Sequence, residues 1–263
     1  MPYTRTLSIN TGKTSLLMES SVVSFDVIAE SRSGIFVELF TEADESSPEA
    51  RYMKAASLQA NSRGHHLLIP TPDSVTVHGP GGSISISGGV QFNVFGRSHE
   101  ASSVVFQHGI EAMVRVPVHS DLGMQGKAGS LLVRGHVGHV WTELTGGSVT
   151  FDKATSLNVR TSGGKIEGNW VGGTAAVHTS GGSIEIGAIL GAVQLDTSGG
   201  DIRVGRVDGD GYMETSGGDV RLERFEGSHL RLHTSGGDIR HPEHPGISAN
   251  TSGGRVNGQR PRW

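Results

Sequence analysis

Short runs of alternating apolar and polar residues recur about every 18 positions through the last hundred residues of the chain. The apolar residues keep fixed places in each run, which is typical of strands with one buried face. Three apolar columns run through the repeats, so we expect three faces around a narrow core. These columns are Ile166, Ile184, Ile202, Val220, Ile239 and Val256; Val171, Ile189, Val207 and Phe225; and Val177, Leu195, Met213 and Leu232.

The tetrapeptide Thr-Ser-Gly-Gly marks the same repeat six times, beginning at Thr161, Thr179, Thr197, Thr215, Thr234 and Thr251. Successive copies are therefore 18, 18, 18, 19 and 17 residues apart. Such a short, regular period is typical of a solenoid, in which each coil buries its apolar face only against its neighbours. The sequence predicts an all-β protein: a single-stranded parallel β-helix (β-solenoid) with 17–19 residues per coil, right-handed by the general crossover preference.

Paired glycines recur at one corner of each predicted coil. Glycine accepts positive φ at no steric cost, so we expect these residues to form sharp turns between strands. The predicted turn residues are Gly163, Gly164, Gly181, Gly182, Gly199, Gly200, Gly217, Gly218, Gly236, Gly237, Gly253 and Gly254.

Weaker copies of the repeat extend upstream, at Gly146–Val149 and Gly129–Val133. Val114–Pro117 and Leu122–Met124 then resemble an entry coil, so we expect about eight coils over residues 110–263. Residues 1–109 show a different pattern and predict an antiparallel β-region that caps the open end of the solenoid. One short helix is expected between Ser47 and Leu58, because Ser47 suits the N-cap and the proline after it suits the first helical position.

Composition narrows the classes of function. The net charge is −4 and there is no basic stripe, so nucleic-acid binding is not expected. The chain has no cysteine, which excludes disulfides and thiolate metal sites. The N-terminus lacks an apolar signal segment and no run is long enough to span a membrane, which predicts a cytoplasmic protein. A surface protein shortened at its N-terminus would look the same.

Two clusters suggest metal binding. Asp201, Asp219 and Asp238 occupy one outward column, and three stacked carboxylates are candidate Ca²⁺ ligands. Arg203, Arg221 and Arg240 stand two residues after each aspartate, however, so a charge-balanced surface ladder is the favoured interpretation. His241 and His244 form a second cluster, for which a polar corner is favoured over a metal site. We expect no metal and no cofactor.

No catalytic motif is apparent, and coils this short leave little room for the loops that form a cleft. The threonines and serines of the motif are candidate nucleophiles, but a ladder of threonines at a corner is more simply structural. The sequence therefore predicts a protein that is not an enzyme.

The run Val114–Pro117, the segment Ser120–Leu122 and the repeated Thr-Ser-Gly-Gly-Asp-Ile together resemble the bacterial putative-adhesin family with β-strand repeats, a domain of unknown function. The coil length also resembles that of bactofilins. The first resemblance implies a non-catalytic scaffold that engages a protein or glycan through its ladder faces. The second implies a self-assembling filament protein, joined through the solenoid ends. A carbohydrate-active β-helix enzyme is a further alternative.

Overall fold

The computed structural model describes residues 1–12, 14–20, 23–70 and 109–257, together with the backbone of three strands between 74 and 106. Within these residues the protein is all-β with one short helix, and a β-solenoid of about seven turns follows the N-terminal strands. The predicted fold class is therefore confirmed. No described helix has the length and apolar character needed to cross a bilayer.

The elements follow one another in a nearly uninterrupted series of strands. They are β1 (Tyr3–Ile9), β2 (Ser15–Glu19), β3 (Ser24–Glu30), β4 (Ile35–Thr41), α1 (Pro48–Ala55), β5 (Ser57–Asn61), β6 (Gly64–Leu68), β7 (Ser74–Gly79), β8 (Gly82–Ser87), β9 (Val104–Phe106), β10 (Glu111–Pro117), β11 (Asp121–Gly126), β12 (Leu131–Leu144), β13 (Val149–Thr161), β14 (Ile166–Val171), β15 (Ala175–Thr179), β16 (Ile184–Ile189), β17 (Val193–Thr197), β18 (Ile202–Val207), β19 (Gly211–Thr215), β20 (Val220–Phe225), β21 (Leu230–Thr234), β22 (Ile239–Arg240) and β23 (Ile247–Thr251).

Two parallel stacks of strands form the walls of the solenoid. Sheet 1 contains β14, β16, β18, β20 and β22, and sheet 2 contains β15, β17, β19, β21 and β23. The longer strands β12 and β13 bend and contribute to both sheets. In sheet 1 the pairing skips one residue in each strand, as at Asn169 and Gly187. The strand bends there, so the sheet presents two of the three predicted faces.

Four buried threonines of the motif connect their coil to the one before it. The hydroxyl of Thr215 donates to the carbonyl of Gly200 at 2.8 Å, and it accepts a hydrogen bond from the backbone N–H of Gly218 at 3.2 Å. The same pair of bonds recurs at Thr197, Thr234 and Thr251. Because these side chains are at most 4% exposed, their hydroxyls are satisfied internally and are closed to solvent.

The two glycines of each motif have different structural roles. A Cβ added at Gly200 would lie 2.1 Å from the carbonyl oxygen of Gly182, whereas one added at Gly199 would meet nothing nearer than 3.6 Å. Gly164 alone among the predicted turn glycines has positive φ, at 94°. Positive φ was thus the wrong reason for most of them: the second glycine is needed because adjacent coils approach too closely for any side chain.

One continuous core runs through the N-terminal strands and the solenoid. Phe25 and Val37 belong to the same buried cluster as Ile184 and Ile202. The division into residues 1–109 and 110–263 stays a prediction about organisation, but the hydrophobic core and the hydrogen bonding continue across it.

The expected entry coil is split by a segment from the N-terminus. Strand β3 pairs in parallel with β10 on one side and with β12 on the other. Strand β2 pairs in parallel with β11 and β6. Although β10 and β11 are consecutive in the chain, they lie at different levels, and the segment Ser15–Glu30 completes the coil between them. About eight coils were expected from residues 110–263, and the solenoid has about seven turns.

The N-terminal end of the solenoid is closed by antiparallel pairing and by α1. Strand β4 pairs antiparallel with β10 and β1, and β5 pairs antiparallel with β6. The helix begins as predicted, because the Ser47 hydroxyl accepts a hydrogen bond from the N–H of Ala50 at 3.1 Å. It buries Ala50 and Met53.

Replacing Gly200 by Ala is expected to destabilise the protein by about 1–3 kcal/mol, because the new Cβ overlaps the preceding coil. Gly199→Ala is the matched control, and we expect a change within about 0.5 kcal/mol. Guanidinium denaturation of the two variants measures the difference. Equal losses of stability would contradict the distinct roles of the two positions.

Thr215→Val is expected to cost about 1–3 kcal/mol, because it keeps the shape of the side chain but leaves buried polar groups of Gly200 and Gly218 without the hydroxyl partner. Thr215→Ser keeps the hydroxyl and removes one methyl, worth about 0.8 kcal/mol. Thermal unfolding checks the order of the two. A serine variant less stable than the valine variant would show that packing of the methyl dominates.

Candidate binding surface

The outward side of sheet 2 carries two rows of side chains in strict register. Alternation buries Leu157, Val159 and Thr161 of β13, so the residues between them point outward. Since each coil repeats this pattern, one outward residue stacks on the next along the whole sheet. The inner row is Trp141, Asn158, Ala176, Gln194 and Tyr212, and the charged row is Glu143, Arg160, His178, Asp196 and Glu214.

A groove lies across the middle of these rows. Its volume is about 510 Å³, and both rows line it from Asn158 to Tyr212. Ala176 leaves the groove open at its centre, because its neighbours Asn158 and Gln194 carry longer side chains. A second cleft of about 320 Å³ adjoins it and shares Arg160 and His178 with it. The two clefts therefore form one continuous surface.

The charged row presents both signs to solvent. Nδ1 of His178 lies 3.2 Å from a carboxylate oxygen of Asp196, and Nε of Arg231 lies 3.3 Å from Glu214. Arg160 is exposed and, within the described residues, has no carboxylate within ion-pair distance. The ridge between the two clefts thus offers a guanidinium without an ion pair among the described residues.

Trp141 stands at the N-terminal end of the inner row. A Cβ added at Gly123, its neighbour in the preceding coil, would lie 3.3 Å from the indole ring and 3.1 Å from Leu17. The side chain of Trp141 is half-buried, so part of it remains accessible. Tyr212, also half-buried, stands at the other end of the row.

The predicted Asp ladder on sheet 1 has a structural role that the sequence did not show. The N–H of Asp219 donates to Oδ1 of Asp201 at 2.8 Å, and the N–H of Asp238 donates to Oδ1 of Asp219 at 2.7 Å. Each carboxylate therefore satisfies a backbone donor of the next coil. Serine hydroxyls have this role upstream, in the pairs Ser24–Ser130, Ser130–Ser148, Ser148–Lys165 and Ser183–Asp201.

The arginine column is only partly paired with this ladder. Arg203 lies 2.7 Å from Asp201, as expected. Arg221 instead lies 3.6 Å from Glu223. Arg240 forms no ion pair with any of the described residues.

The histidine corner is held by local contacts. Nδ1 of His244 accepts a hydrogen bond from the N–H of Gly246 at 3.1 Å, and its ring packs edge-on against Phe225 at 4.8 Å. Nδ1 of His241 lies 2.7 Å from the carbonyl of Pro242. Across the described residues, no group of three or more His, Cys, Asp or Glu side chains is placed to hold a metal ion.

A further aromatic cluster lies where β10 crosses to β11. The ring centroids of His119 and His136 are 4.2 Å apart, and His136 lies edge-on to Trp170 at 5.7 Å. Burial, reinforced by His119 and Lys153, lowers the pKa of His136. The neutral imidazole is thus favoured in the folded protein. Protonation of His136 therefore lowers the stability of the fold as the pH falls below the usual pKa range of histidine.

Sequence reasoning identified part of the sheet 2 surface. The mixed column that contains His178 and His233 was apparent as polar and outward-facing, but the inner row was missed. The available signal was the residue between the two buried positions of each sheet 2 strand, which is Asn, Ala, Gln or Tyr in successive coils. The groove itself depends on Asn158, Ala176 and Tyr212 standing in register, which no local pattern shows.

No protein-family model matches the chain, and no curated protein matches it in sequence. In fold it is similar to the crystal structure of a putative adhesin from Bacteroides fragilis, with 13% identity, a TM-score of 0.51, and 97% of this chain and 96% of that chain covered. A putative lipid binding protein from Parabacteroides distasonis is similar with 12% identity and a TM-score of 0.45, and the match covers 97% of this chain and 96% of that chain. A putative cell adhesion protein from Clostridium sporogenes is similar with 11% identity and a TM-score of 0.32, and the match covers 97% of this chain and 98% of that chain. Identities this low show a shared fold only, and the expected resemblance in architecture to putative adhesins is confirmed by the first.

Asp219→Ala is expected to lower stability by about 1 kcal/mol or less, because the N–H of Asp238 loses its acceptor. Asp219→Asn keeps an oxygen in that place and is expected to leave stability nearly unchanged. Thermal unfolding with and without Ca²⁺ measures both. A Ca²⁺-dependent rise in melting temperature that Asp219→Asn abolishes would contradict the hydrogen-bonding role and indicate a metal ladder.

Proposed function

We propose that the protein is a non-catalytic β-solenoid scaffold that binds a protein or glycan partner through the outer surface of sheet 2. The groove from Asn158 to Tyr212 carries this proposal. It combines a rigid floor of paired backbone with exposed amide, aromatic and charged groups. Binding sites on proteins commonly combine a pre-formed cleft with a few convergent polar groups.

The chemistry of the groove favours binding over catalysis. Among the described residues, Glu49 is the one carboxylate in the buried class, and it lies on α1 at the capped end. Asp196, the acidic residue that lines the groove, is paired with His178. The threonine hydroxyls of the motif are buried, and that of Thr215 is bonded on both sides, so they are not available as nucleophiles.

The comparison with known structures supports the same class of function at a coarse level. The Bacteroides fragilis protein, described as a putative adhesin, shares the fold over nearly the whole chain. Adhesion is a binding role, and a rigid solenoid with flat faces suits it. The partner and the site on this chain belong to our proposal.

Self-assembly through the C-terminal end is a second candidate. Ile247 and Ala249 in β23 are only half-buried, whereas their counterparts in the preceding coil, Leu230 and Leu232, are fully buried. Residues 258–263 lie outside the described part of the chain. Filaments in negative-stain micrographs that lengthen with protein concentration would favour this alternative.

Ala176→Arg fills the centre of the groove and tests the proposal. We expect wild-type protein to bind members of an array of purified glycans and proteins, and Ala176→Arg to lose that binding. Ser248→Arg is the matched control, because Ser248 lies in the continuation of the same outward row but outside the groove. Binding that survives Ala176→Arg would show that another surface is used.

A further inference from the structure

We infer that the sheet 2 groove binds an extended β-1,4-linked glycan that lies along the solenoid axis, across the strands, between Trp141 and Tyr212. The inference rests on the proposed function and names its ligand class. Its evidence is the geometry of the inner row and the chemistry of its side chains.

The inner row is straight. From β13 through β21 the sheet 2 pairing contains no register shift, so Asn158, Ala176, Gln194 and Tyr212 occupy equivalent places in successive coils. Four strand spacings of about 4.8 Å separate Trp141 from Tyr212, which makes a platform roughly 19 Å long. A straight, flat platform is complementary to a polymer that is itself extended and flat, as β-1,4-linked hexoses are.

Aromatic residues stand at both ends of this platform. Trp141 is half-buried and lies beside Gly123 of the preceding coil. Tyr and Trp present a large, rigid apolar surface together with a polar group. The C–H faces of sugar rings stack on such surfaces, so the two aromatic residues define the two ends of a bound oligosaccharide.

Side chains that can form hydrogen bonds with sugar hydroxyls lie between the aromatic residues. Asn158 and Gln194 each offer both donors and acceptors, which suits ligands rich in hydroxyls. Arg160 and the His178–Asp196 pair line the same groove and supply charge-assisted hydrogen bonds. Between Trp141 and Tyr212 the inner row carries no aliphatic side chain larger than that of Ala176.

This composition argues against two other ligand classes. An acyl chain needs an apolar cavity, whereas the interior beneath the groove is filled by Val177 and Leu195, and the groove itself is mainly polar. A peptide strand needs free backbone donors and acceptors, but those of sheet 2 are paired with the adjacent coils on both sides. A glycan needs neither.

Isothermal titration calorimetry of the full chain with cellohexaose tests the inference, and maltohexaose, whose α-linkages curl the chain, is the matched control ligand. We expect wild-type protein and Ser248→Arg to bind cellohexaose and not maltohexaose. Tyr212→Ala is expected to weaken binding at least about fivefold, Tyr212→Phe to retain it because the ring is kept, and Ala176→Arg to abolish it. Melting temperatures of all variants establish that they are folded.

Three results would overturn the inference: no binding of cellohexaose by folded wild-type protein, equal binding of both hexaoses, or binding that Ala176→Arg leaves unchanged. If the inference fails while array binding still depends on Ala176, the proposed function stands with a different ligand. If no array binding depends on Ala176 either, both proposals fail.

Discussion

The architecture depends on how closely each coil lies against the one before it at the Thr-Ser-Gly-Gly corner. There the buried hydroxyl of Thr215 bonds to the carbonyl of Gly200, while the second glycine of the motif leaves no room for a Cβ. The hydroxyl and the carbonyl are both polar and inaccessible to water, so leaving either of them unpaired would be costly. The repeated corner therefore sets the register of every strand that leaves it, and with it the columns of the core.

Strict register at the corner has a consequence on the outside. Because successive coils are superimposed without a shift along sheet 2, outward residues that are distant in the chain become neighbours in a straight row. Asn158 and Tyr212 line one groove although three coils separate them in sequence. The rigid floor means that ligand binding needs little ordering of the protein, and that favours affinity.

The same stacking interactions accept a segment from far away in the chain. The hydroxyl of Ser24 accepts a hydrogen bond from the backbone N–H of Ser130. In the same way, the carboxylate of Asp201 accepts one from the N–H of Asp219 in the next coil. Strand β3 thus pairs in parallel with both neighbouring strands, as a coil strand does. This is why the N-terminal cap and the solenoid share one core. The cap closes one end with antiparallel strands and α1, so further parallel pairing at that end is blocked.

The sequence by itself determined the solenoid, because its signal is local: apolar columns such as Ile184, Ile202 and Val220 recur with the period of one coil, and α1 begins at a recognisable cap. The sequence also placed the corners, although it could not show that close approach, rather than positive φ, requires Gly200. Tertiary structure alone decided that Ser15–Glu30 enters between β10 and β12, since pairing between such distant segments leaves no periodic trace. It also decided the groove, because Asn158, Ala176 and Tyr212 become one surface only when whole coils are stacked in register.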